Sequence, residues 1–228
     1  MHGQTITNRE AAGRQLANAV LQHTHLQNPL ILGLAPGGVP VAAEIARALD
    51  AELFVVDVRM QHDPSKPEVA ICAFGQDEEP VLRADAAMSN TAAMVHARPS
   101  LADREVKCHD FPHPCDAVPD RLYSRDVLVV DDSLAASTTM LTAIRAVKAC
   151  GAHRIVVAVP IGDPGKCALV SREADRVICP LQPPSLGRVE DWYDDFTPLT
   201  DADVCAIAEA SHQARRLSLT SRLGFHAR

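Results

Sequence analysis

The segment at residues 127–151 places the strongest constraint on how this chain folds. It reads VLVVDDSLAASTTMLTAIRAVKACG, so four apolar residues run directly into Asp131 and Asp132. A loop of small and hydroxyl residues follows, and an amphipathic run at 140–150 ends at Gly151. Short apolar runs bounded by turn residues predict buried strands, and amphipathic runs that end at glycine predict helices. The segment therefore predicts a strand, an acidic turn, a small-residue loop and a helix.

The residue types in this loop indicate which ligand it suits. The first N–H groups of a helix have no intrahelical partner and attract anions, and small residues let the backbone approach a phosphate closely. Adjacent carboxylates would repel a bare anion, but they suit a ligand that donates hydroxyl hydrogens or brings a divalent cation. A sugar phosphate with vicinal hydroxyls meets these conditions. A strand that ends in two aspartates also fits other doubly wound proteins, including receiver and phosphatase types.

A second strand–loop–helix unit begins at residue 29. Residues 29–34 form an apolar run, Gly37 and Gly38 predict a tight turn, and residues 39–49 continue as a helix, which makes a second candidate anion site. The loop has no GxGxxG pattern, which disfavours dinucleotide binding.

Further apolar strands at 52–58, 154–160 and 175–180 alternate with helical segments. This alternation predicts an α/β fold: a doubly wound, mostly parallel sheet flanked by helices. In such a sheet, ligands bind beyond the carboxyl ends of the strands. The glycine loop and the acidic loop both follow strands, so we expect them to face the same ligand.

Composition narrows the class of protein further. The 228 residues suffice for one well-buried core, and the 4% aromatic content leaves Val, Leu, Ile and Ala to fill it. The net charge of −7 argues against nucleic acid as a main partner, and no apolar run reaches membrane length. The seven cysteines are odd in number and lack a CxxC pair, so we expect reduced thiols and a cytoplasmic protein.

Three stretches resemble the type I phosphoribosyltransferases, in a bacterial branch of that family. They are VLVVDDSLAASTT at 127–139, PGGVPVA at 36–42 and WYDDF at 192–196, and the resemblance extends over about residues 8–210. It implies a protein that binds phosphoribosyl pyrophosphate (PRPP). By position, Asp131 and Asp132 would be the catalytic residues that contact the ribose hydroxyls, with Mg²⁺ held near them through the ligand. The 5′-phosphate would be bound by Ser133, Ala135, Ala136, Ser137, Thr138 and Thr139.

The resemblance also implies a pyrophosphate site and a small hood over the active site. Pro36, Gly37, Gly38 and Arg59 would contact the pyrophosphate. The hood would come from about residues 60–120, with a hairpin expected at 69–75 and 80–83. Within that region, the segment CHDFPHPC at 108–115 contains two cysteines and two histidines. Its spacing and its prolines favour an irregular loop over a zinc site.

Three positions differ from the pattern of the family. The phosphate loop has Ala136-Ser137 where the family has Thr-Gly, Pro36 stands in place of an arginine, and Met60 stands in place of a lysine. These changes remove a residue with easy access to positive φ, a hydroxyl donor and two cations that would neutralise phosphate charge. Ser137 suits the N-cap of the following helix and partly replaces the lost donor.

The C-terminal part carries two further predictions. Trp192 and Tyr193 either wall a base pocket or anchor the C-terminal segment on the sheet. We expect a single domain over residues 1–214, whose last helix ends near Ala214, and a basic, frayed tail at 215–228. The family also implies that the chain can form a homodimer.

Two functions follow from these residues. The first is phosphoribosyl transfer from PRPP to an acceptor such as a base, with release of pyrophosphate, as a glycosyltransferase of nucleotide metabolism. The alternative is a protein that has kept the fold and lost catalysis. It would then be a binding or regulatory module for a nucleotide, a sugar phosphate or a protein partner.

Overall fold

The computed structural model describes the backbone of residues 5–60, 70–74, 82–83 and 121–222, and the side chains of residues 5–58 and 121–222. The helices are α1 (Arg9–His23), α2 (Gly38–Leu49), α3 (Thr138–Ala149), α4 (Pro164–Val170) and α5 (Asp201–Arg222), with a short 3₁₀ helix at Val189–Trp192. The strands are β1 (Leu30–Leu34), β2 (Glu52–Met60), β3 (Ala70–Phe74), β4 (Leu82–Arg83), β5 (Asp126–Val130), β6 (Arg154–Ala158) and β7 (Arg176–Ile178).

The strands form one sheet in the order β4-β3-β2-β1-β5-β6-β7. The five strands β2, β1, β5, β6 and β7 are parallel, whereas β3 and β4 pair antiparallel at one edge. The predicted α/β fold with a mostly parallel sheet is therefore confirmed, and so is the hairpin. The remainder of the expected hood at 60–120, including the segment at 108–115, lies outside the described residues.

The register of the central strands places two loops at the same edge of the sheet. Leu30 pairs with Val127, and Gly33 pairs with Val130. The glycine loop after β1 and the acidic loop after β5 therefore leave the sheet at nearly the same height. Both loops lead into helices whose first turns point at that edge.

The sheet is covered on both faces, as the apolar strand sequences require. Leu32 and Val129 face α3, whereas Ile31 and Leu128 face α1 and α2. All four side chains are fully buried. A third cluster joins Ile6 to the C-terminal segment; its other members are Ala12, Ile161, Leu186, Trp192 and Tyr193.

Side chains cap three of the helices. Asn8 accepts a hydrogen bond from the N–H of Ala11, as expected for the N-cap of α1. Asp163 does the same for the N–H of Lys166 in α4. At α5, the Thr200 hydroxyl accepts from the N–H of Asp203, and the Asp203 carboxylate accepts in return from the N–H of Thr200.

The structure corrects several predicted boundaries and one predicted property. The sequence predicts a first helix over residues 8–27 with Leu21 in its apolar stripe, but α1 ends at His23 and Leu21 is 49% exposed. It also predicts a helix from Asp163-Pro164 to about residue 174, whereas α4 ends at Val170. Cys205 is disulfide-bonded, so the expectation of reduced thiols is wrong at that position. Sequence spacing cannot reveal such a pair, because a disulfide depends on distance in the fold.

The final helix is longer than predicted. It runs to Arg222, so residues 215–222 are helical and not a frayed tail. Arg222 pairs with Asp50 at 2.7 Å, and Arg215 contacts Glu52 at 3.2 Å. These long-range contacts with β2 and the end of α2 hold a segment whose own sequence is mostly polar.

We predict that Gly13→Ala destabilises the protein although Gly13 lies inside a helix. Alanine normally favours a helix over glycine, but an added Cβ would lie 2.7 Å from the carbonyl oxygen of Val41 and 2.8 Å from Cβ of Glu44. Helices α1 and α2 would have to separate, and overpacking of this kind costs about 1–3 kcal/mol. Chemical denaturation measures the free energy of unfolding. The control Asn18→Ala, on the exposed face of α1, is expected to keep or slightly raise it.

Candidate active site

The glycine loop and the acidic loop are in direct contact. A Cβ added at Gly37 would lie 2.1 Å from Oδ2 of Asp132, and one added at Gly38 would lie 2.6 Å from the carbonyl oxygen of Val130 and 2.8 Å from Cα of Asp131. The atoms closest to Gly38 are backbone, so no side chain fits there, and a side chain at Gly37 would displace the Asp132 carboxylate. The structure thereby brings together the glycine loop and the acid pair that the sequence singled out.

Asp132 is held in place by a set of specific contacts. Its Oδ2 accepts from Nε of Arg9 at 2.8 Å, and its Oδ1 accepts from the hydroxyl of Ser133 at 3.1 Å. Its main-chain carbonyl accepts from the hydroxyl of Tyr193 at 2.7 Å. The Arg9 and Asp132 side chains are only 11% and 12% exposed. The carboxylate is therefore paired with a cation and largely shielded from water.

Asp131 has a different electrostatic environment. Its Oδ1 accepts from the N–H of Asp132. Burial and the neighbouring charge of Asp132 raise the pKa of Asp131 well above its usual range, and these effects outweigh that hydrogen bond and the charge of Arg9. A raised pKa means that the charged form of Asp131 is less stable here than in water, so a partner is needed to stabilise it. A hydroxyl donor or a cation from a ligand would meet that need.

The predicted phosphate loop leads into the first turn of α3. Ser137 occupies the N-cap position as expected, but its side chain makes no capping hydrogen bond. Its φ is −93°, so the loop adopts a conformation that needs no glycine there. The main-chain bond from the N–H of Leu141 to the carbonyl of Ser137 begins the helical ladder. The N–H groups of Thr138, Thr139 and Met140 precede this bond and therefore need other acceptors.

The rest of the loop is partly exposed and is anchored at one point. Ala135, Ala136 and Thr138 are exposed, whereas Ser133 and Thr139 are half-buried. Leu134 is 1% exposed and exchanges main-chain hydrogen bonds with the segment after β6, at Ile161 and Asp163. This anchor fixes the loop beside the first turn of α3, while its small side chains stay open to a ligand.

The predicted pyrophosphate residues are only partly described. Pro36 is exposed beside the two buried glycines. Arg59 lies in β2, where its main chain pairs with Ile71, and its side chain is outside the described residues. Its contact with pyrophosphate remains a prediction.

Trp192 and Tyr193 are positioned as anchors of the C-terminal segment. Their side chains are 5% and 6% exposed, inside the cluster around Ile6. Nε1 of Trp192 donates to the carbonyl of Leu186. Tyr193 packs on Phe196 with a centroid distance of 5.0 Å. Such buried rings offer little surface to a base, so the geometry supports anchoring rather than a base pocket.

Sequence reasoning missed Arg9. This residue opens α1, where the positive end of the helix dipole disfavours a cation. A carboxylate offsets the charge of Arg9, and Asp132 provides it across 123 residues of sequence. Arg9 also donates to the carbonyl of Thr197 and lies 3.8 Å above the Phe196 ring. It links the N-terminal helix, the acidic loop and the C-terminal segment.

The doubly wound sheet with paired loops at its carboxyl edge defines a class of α/β proteins that bind phosphorylated ligands at that edge. A family model, the phosphoribosyl transferase domain, matches residues 3–185. The chain belongs to this family.

Individual relatives agree with this assignment. A Mycobacterium tuberculosis protein named "Putative phosphoribosyl transferase" is 35% identical over 209 residues, which are 90% of this chain and 46% of that protein. The chain thus spans about half the length of the curated relatives it matches. The crystal structure of TT1426 from Thermus thermophilus is 28% identical, with a TM-score of 0.63, over 90% of this chain and 98% of that one.

The described part of the chain contains neither a metal-binding cluster nor a membrane-spanning helix. Within residues 5–60 and 121–222, no group of three or more His, Cys, Asp and Glu side chains is placed to hold a metal ion. No described helix is long and apolar enough to cross a membrane.

We predict that Arg9→Met strongly destabilises the protein. The substitution removes the partner of a carboxylate that is only 12% exposed, and breaking a buried pair in this way costs about 3–5 kcal/mol. The matched control is Arg14→Met on the same helix, where the pair with Glu44 is 3.7 Å long and Arg14 is 54% exposed. An exposed pair contributes about 0–1 kcal/mol. Equal losses of unfolding free energy in the two variants would contradict this account of Arg9.

We further predict that Tyr193→Phe lowers the free energy of unfolding by about 1–3 kcal/mol, because the buried carbonyl of Asp132 loses its donor. Tyr123→Phe, at a residue that is 68% exposed, is the control and should have no measurable effect. An unchanged stability of Tyr193→Phe would show that the hydroxyl does not hold the acidic loop.

Proposed function

We propose that this protein binds PRPP and transfers its phosphoribosyl group to an acceptor, with release of pyrophosphate. The observation that carries the proposal is the contact between the glycine loop and the acid pair beside the first turn of α3. One ligand that spans this edge would meet the carboxylates, the first N–H groups of α3 and the backbone of Gly37 and Gly38. A ribose that bears a 5′-phosphate and a pyrophosphate has groups for all three.

Each part of the ligand has a matching surface. The ribose hydroxyls would donate to Asp131 and Asp132, whose oxygens accept hydrogen bonds. The 5′-phosphate would accept from the main-chain N–H groups of residues 138–140 and from the hydroxyls of Thr138 and Thr139. The pyrophosphate would lie against Gly37 and Gly38, with Arg59 as its cation.

The donor set also fits Mg²⁺ bound through the substrate. Mg²⁺ usually takes one or two carboxylates together with substrate phosphates, rather than a cage made by protein alone. Asp131 offers a carboxylate that needs a partner, and the described residues contain no larger ligand cluster. The ion, when bound, would neutralise charge on the pyrophosphate. Asp131 would be the residue that faces it, because Asp132 is already paired with Arg9.

The reaction would depend on positioning. The bond between C1 of the ribose and the pyrophosphate oxygen breaks, the acceptor forms a new bond to C1, and the electron pair of the broken bond leaves with pyrophosphate. Positive charge develops on the sugar, and the carboxylates of Asp131 and Asp132 would stabilise it. Orientation of the two reactants supplies the other part of the acceleration.

Arg9 would act through Asp132 as a positioning residue. Through its hydrogen bond from Nε, it fixes the orientation of that carboxylate. It also adds positive charge near a site that has Pro36 and Met60 where the family has cations. This charge would offset part of what those two positions lose.

A second candidate function is binding without catalysis. The observation that favours it is that Oδ2 of Asp132 is already occupied by Arg9, and Pro36 offers neither charge nor an N–H donor. Such a protein would bind PRPP, a nucleotide or another sugar phosphate and would release no pyrophosphate. Cytoplasmic location, a homodimer and a role in nucleotide metabolism remain predictions in either case.

One experiment separates these functions. The melting temperature is measured with PRPP and Mg²⁺, and pyrophosphate release is then followed with a panel of bases. Stabilisation together with release supports the transferase, and stabilisation alone supports the binding module. Absence of both would contradict the proposal.

We predict that the Asp131→Asn, Asp132→Asn double variant loses the PRPP-induced rise in melting temperature, because the ribose hydroxyls and Mg²⁺ lose their carboxylates. A matched control is Asp191→Asn, Asp201→Asn, which makes the same charge change at two exposed positions. The control should keep the full rise. A rise that persists in the first variant would place PRPP elsewhere on the protein.

A further inference from the structure

A second cleft lies at the other end of the sheet, where α5 crosses the start of β2. It encloses about 310 Å³, which is at the small end of the range for ligand pockets. Its walls include Glu52, Phe54, Arg121, His212, Arg215 and Arg216. Helix α5 supplies the last three of these residues, and two of them, Arg215 and Arg216, belong to the basic C-terminal segment, to which the sequence assigned no role.

Among the residues that the structure describes, arginines outnumber carboxylates around this cleft. Arg121, Arg125 and Arg215 all contact the single carboxylate of Glu52, at 3.0, 2.7 and 3.2 Å. Burial alone would raise the pKa of Glu52, but the hydrogen bond and charge of Arg125, with the charges of Arg215 and Arg121, hold it below its usual range. Arg216 adds a fourth cation. This local excess of positive charge stands out in a chain with a net charge of −7.

The four arginines divide into two kinds. Arg125 is a structural residue, because its three nitrogens donate to Glu52 and to the carbonyls of Asn28 and Pro29. Arg121 donates to Glu52 through Nη1, and most of its five N–H donors point elsewhere. Arg216 is exposed at the rim of the cleft. Arg121 and Arg216 are therefore placed to bind a further anion without dismantling the Glu52 cluster.

An aromatic surface lies beside these cations. The Phe54 ring meets the His212 ring edge to face, with a centroid distance of 6.4 Å. The guanidinium of Arg121 lies 5.9 Å from the centre of the Phe54 ring. A planar group that enters the cleft would therefore meet a ring face and cations together, and both attract aromatic ligands.

The cleft is separate from the candidate active site. Glu52 pairs with Leu30, which also pairs with Val127, so Glu52 lies at the amino ends of the strands. Asp131 follows β5 four residues further along, which corresponds to about 13 Å in the strand direction. A ligand in the cleft would therefore lie away from the acid pair.

We propose that this cleft is a second ligand site, and that it binds a small compound that carries both a phosphate and a planar ring, such as a nucleoside monophosphate. Arg121 and Arg216 bind the phosphate, and Phe54 with His212 contacts the ring. Arg125 and Arg215 hold Glu52 and keep the cleft open.

Adenosine 5′-monophosphate (AMP) serves as the probe, and isothermal titration calorimetry of the full chain measures its dissociation constant. We expect Arg121→Gln, Arg216→Gln to raise this constant at least tenfold, because two charge-assisted contacts are lost. Phe54→Leu should weaken AMP severalfold and leave ribose 5-phosphate unaffected, because only AMP has a ring. Arg125 and Arg215 stay in place, so the fold is preserved, which the melting temperature checks.

Two controls locate the site. Arg172→Gln removes one exposed positive charge after α4, at the opposite edge of the sheet, and should leave AMP binding unchanged. AMP also carries a ribose 5-phosphate that the candidate active site could bind, so the cleft is measured in the Asp131→Asn, Asp132→Asn background, where AMP binding is expected to persist whether or not the transferase proposal holds. The cleft proposal is overturned if AMP does not bind, if the acid-pair variant alone abolishes binding, or if AMP and ribose 5-phosphate bind equally well.

Discussion

The close approach of the glycine loop to the acidic loop is the constraint on which the candidate site depends. The backbones of Gly37 and Gly38 lie so close to Asp131 and Asp132 that an added Cβ would overlap with these residues. The parallel register of β1 with β5 brings both loops to one edge. The two helices that follow then present their N-terminal turns to the same volume. A ligand with phosphates at both ends and hydroxyls between them has the matching shape.

Charge pairing makes this arrangement possible. Two adjacent carboxylates near the sheet edge repel each other, and burial adds to the cost. Arg9 stabilises Asp132, so the unfavourable charge is concentrated on Asp131. The acid pair is therefore asymmetric: Asp132 has a cationic partner within the protein, whereas the pKa of Asp131 is raised. The same arginine joins the site to the C-terminal segment through Thr197 and Phe196.

Local patterns sufficed to predict the fold and the two loops of the candidate site. Apolar strands, small-residue loops and amphipathic helices are encoded over short stretches, so the parallel sheet and both loops could be predicted. The role of Arg9 could not, because its partner lies 123 residues away and no local pattern links them. The length of α5 depends in the same way on contacts of Arg215 and Arg222 with residues near position 50.

The aromatic residues show a further limit of sequence reasoning. Stacking on a base and burial in a core call for the same side chains, so the sequence around Trp192 and Tyr193 is compatible with both. The pairing of Ile6 with Tyr193 favours the anchoring role, because it holds the C-terminal segment against the residues that precede α1. The Ala136-Ser137 change also causes less backbone strain than the loss of a glycine suggests, since Ser137 adopts an ordinary negative φ.

A crystal structure of the full chain with PRPP and Mg²⁺ tests the central claim most directly. The account predicts the ribose hydroxyls within hydrogen-bond distance of Asp131 or Asp132. It also predicts the 5′-phosphate on the N–H groups of residues 138–140 and the pyrophosphate against Gly37 and Gly38. PRPP bound away from this edge, or an empty edge at saturating PRPP, would contradict it.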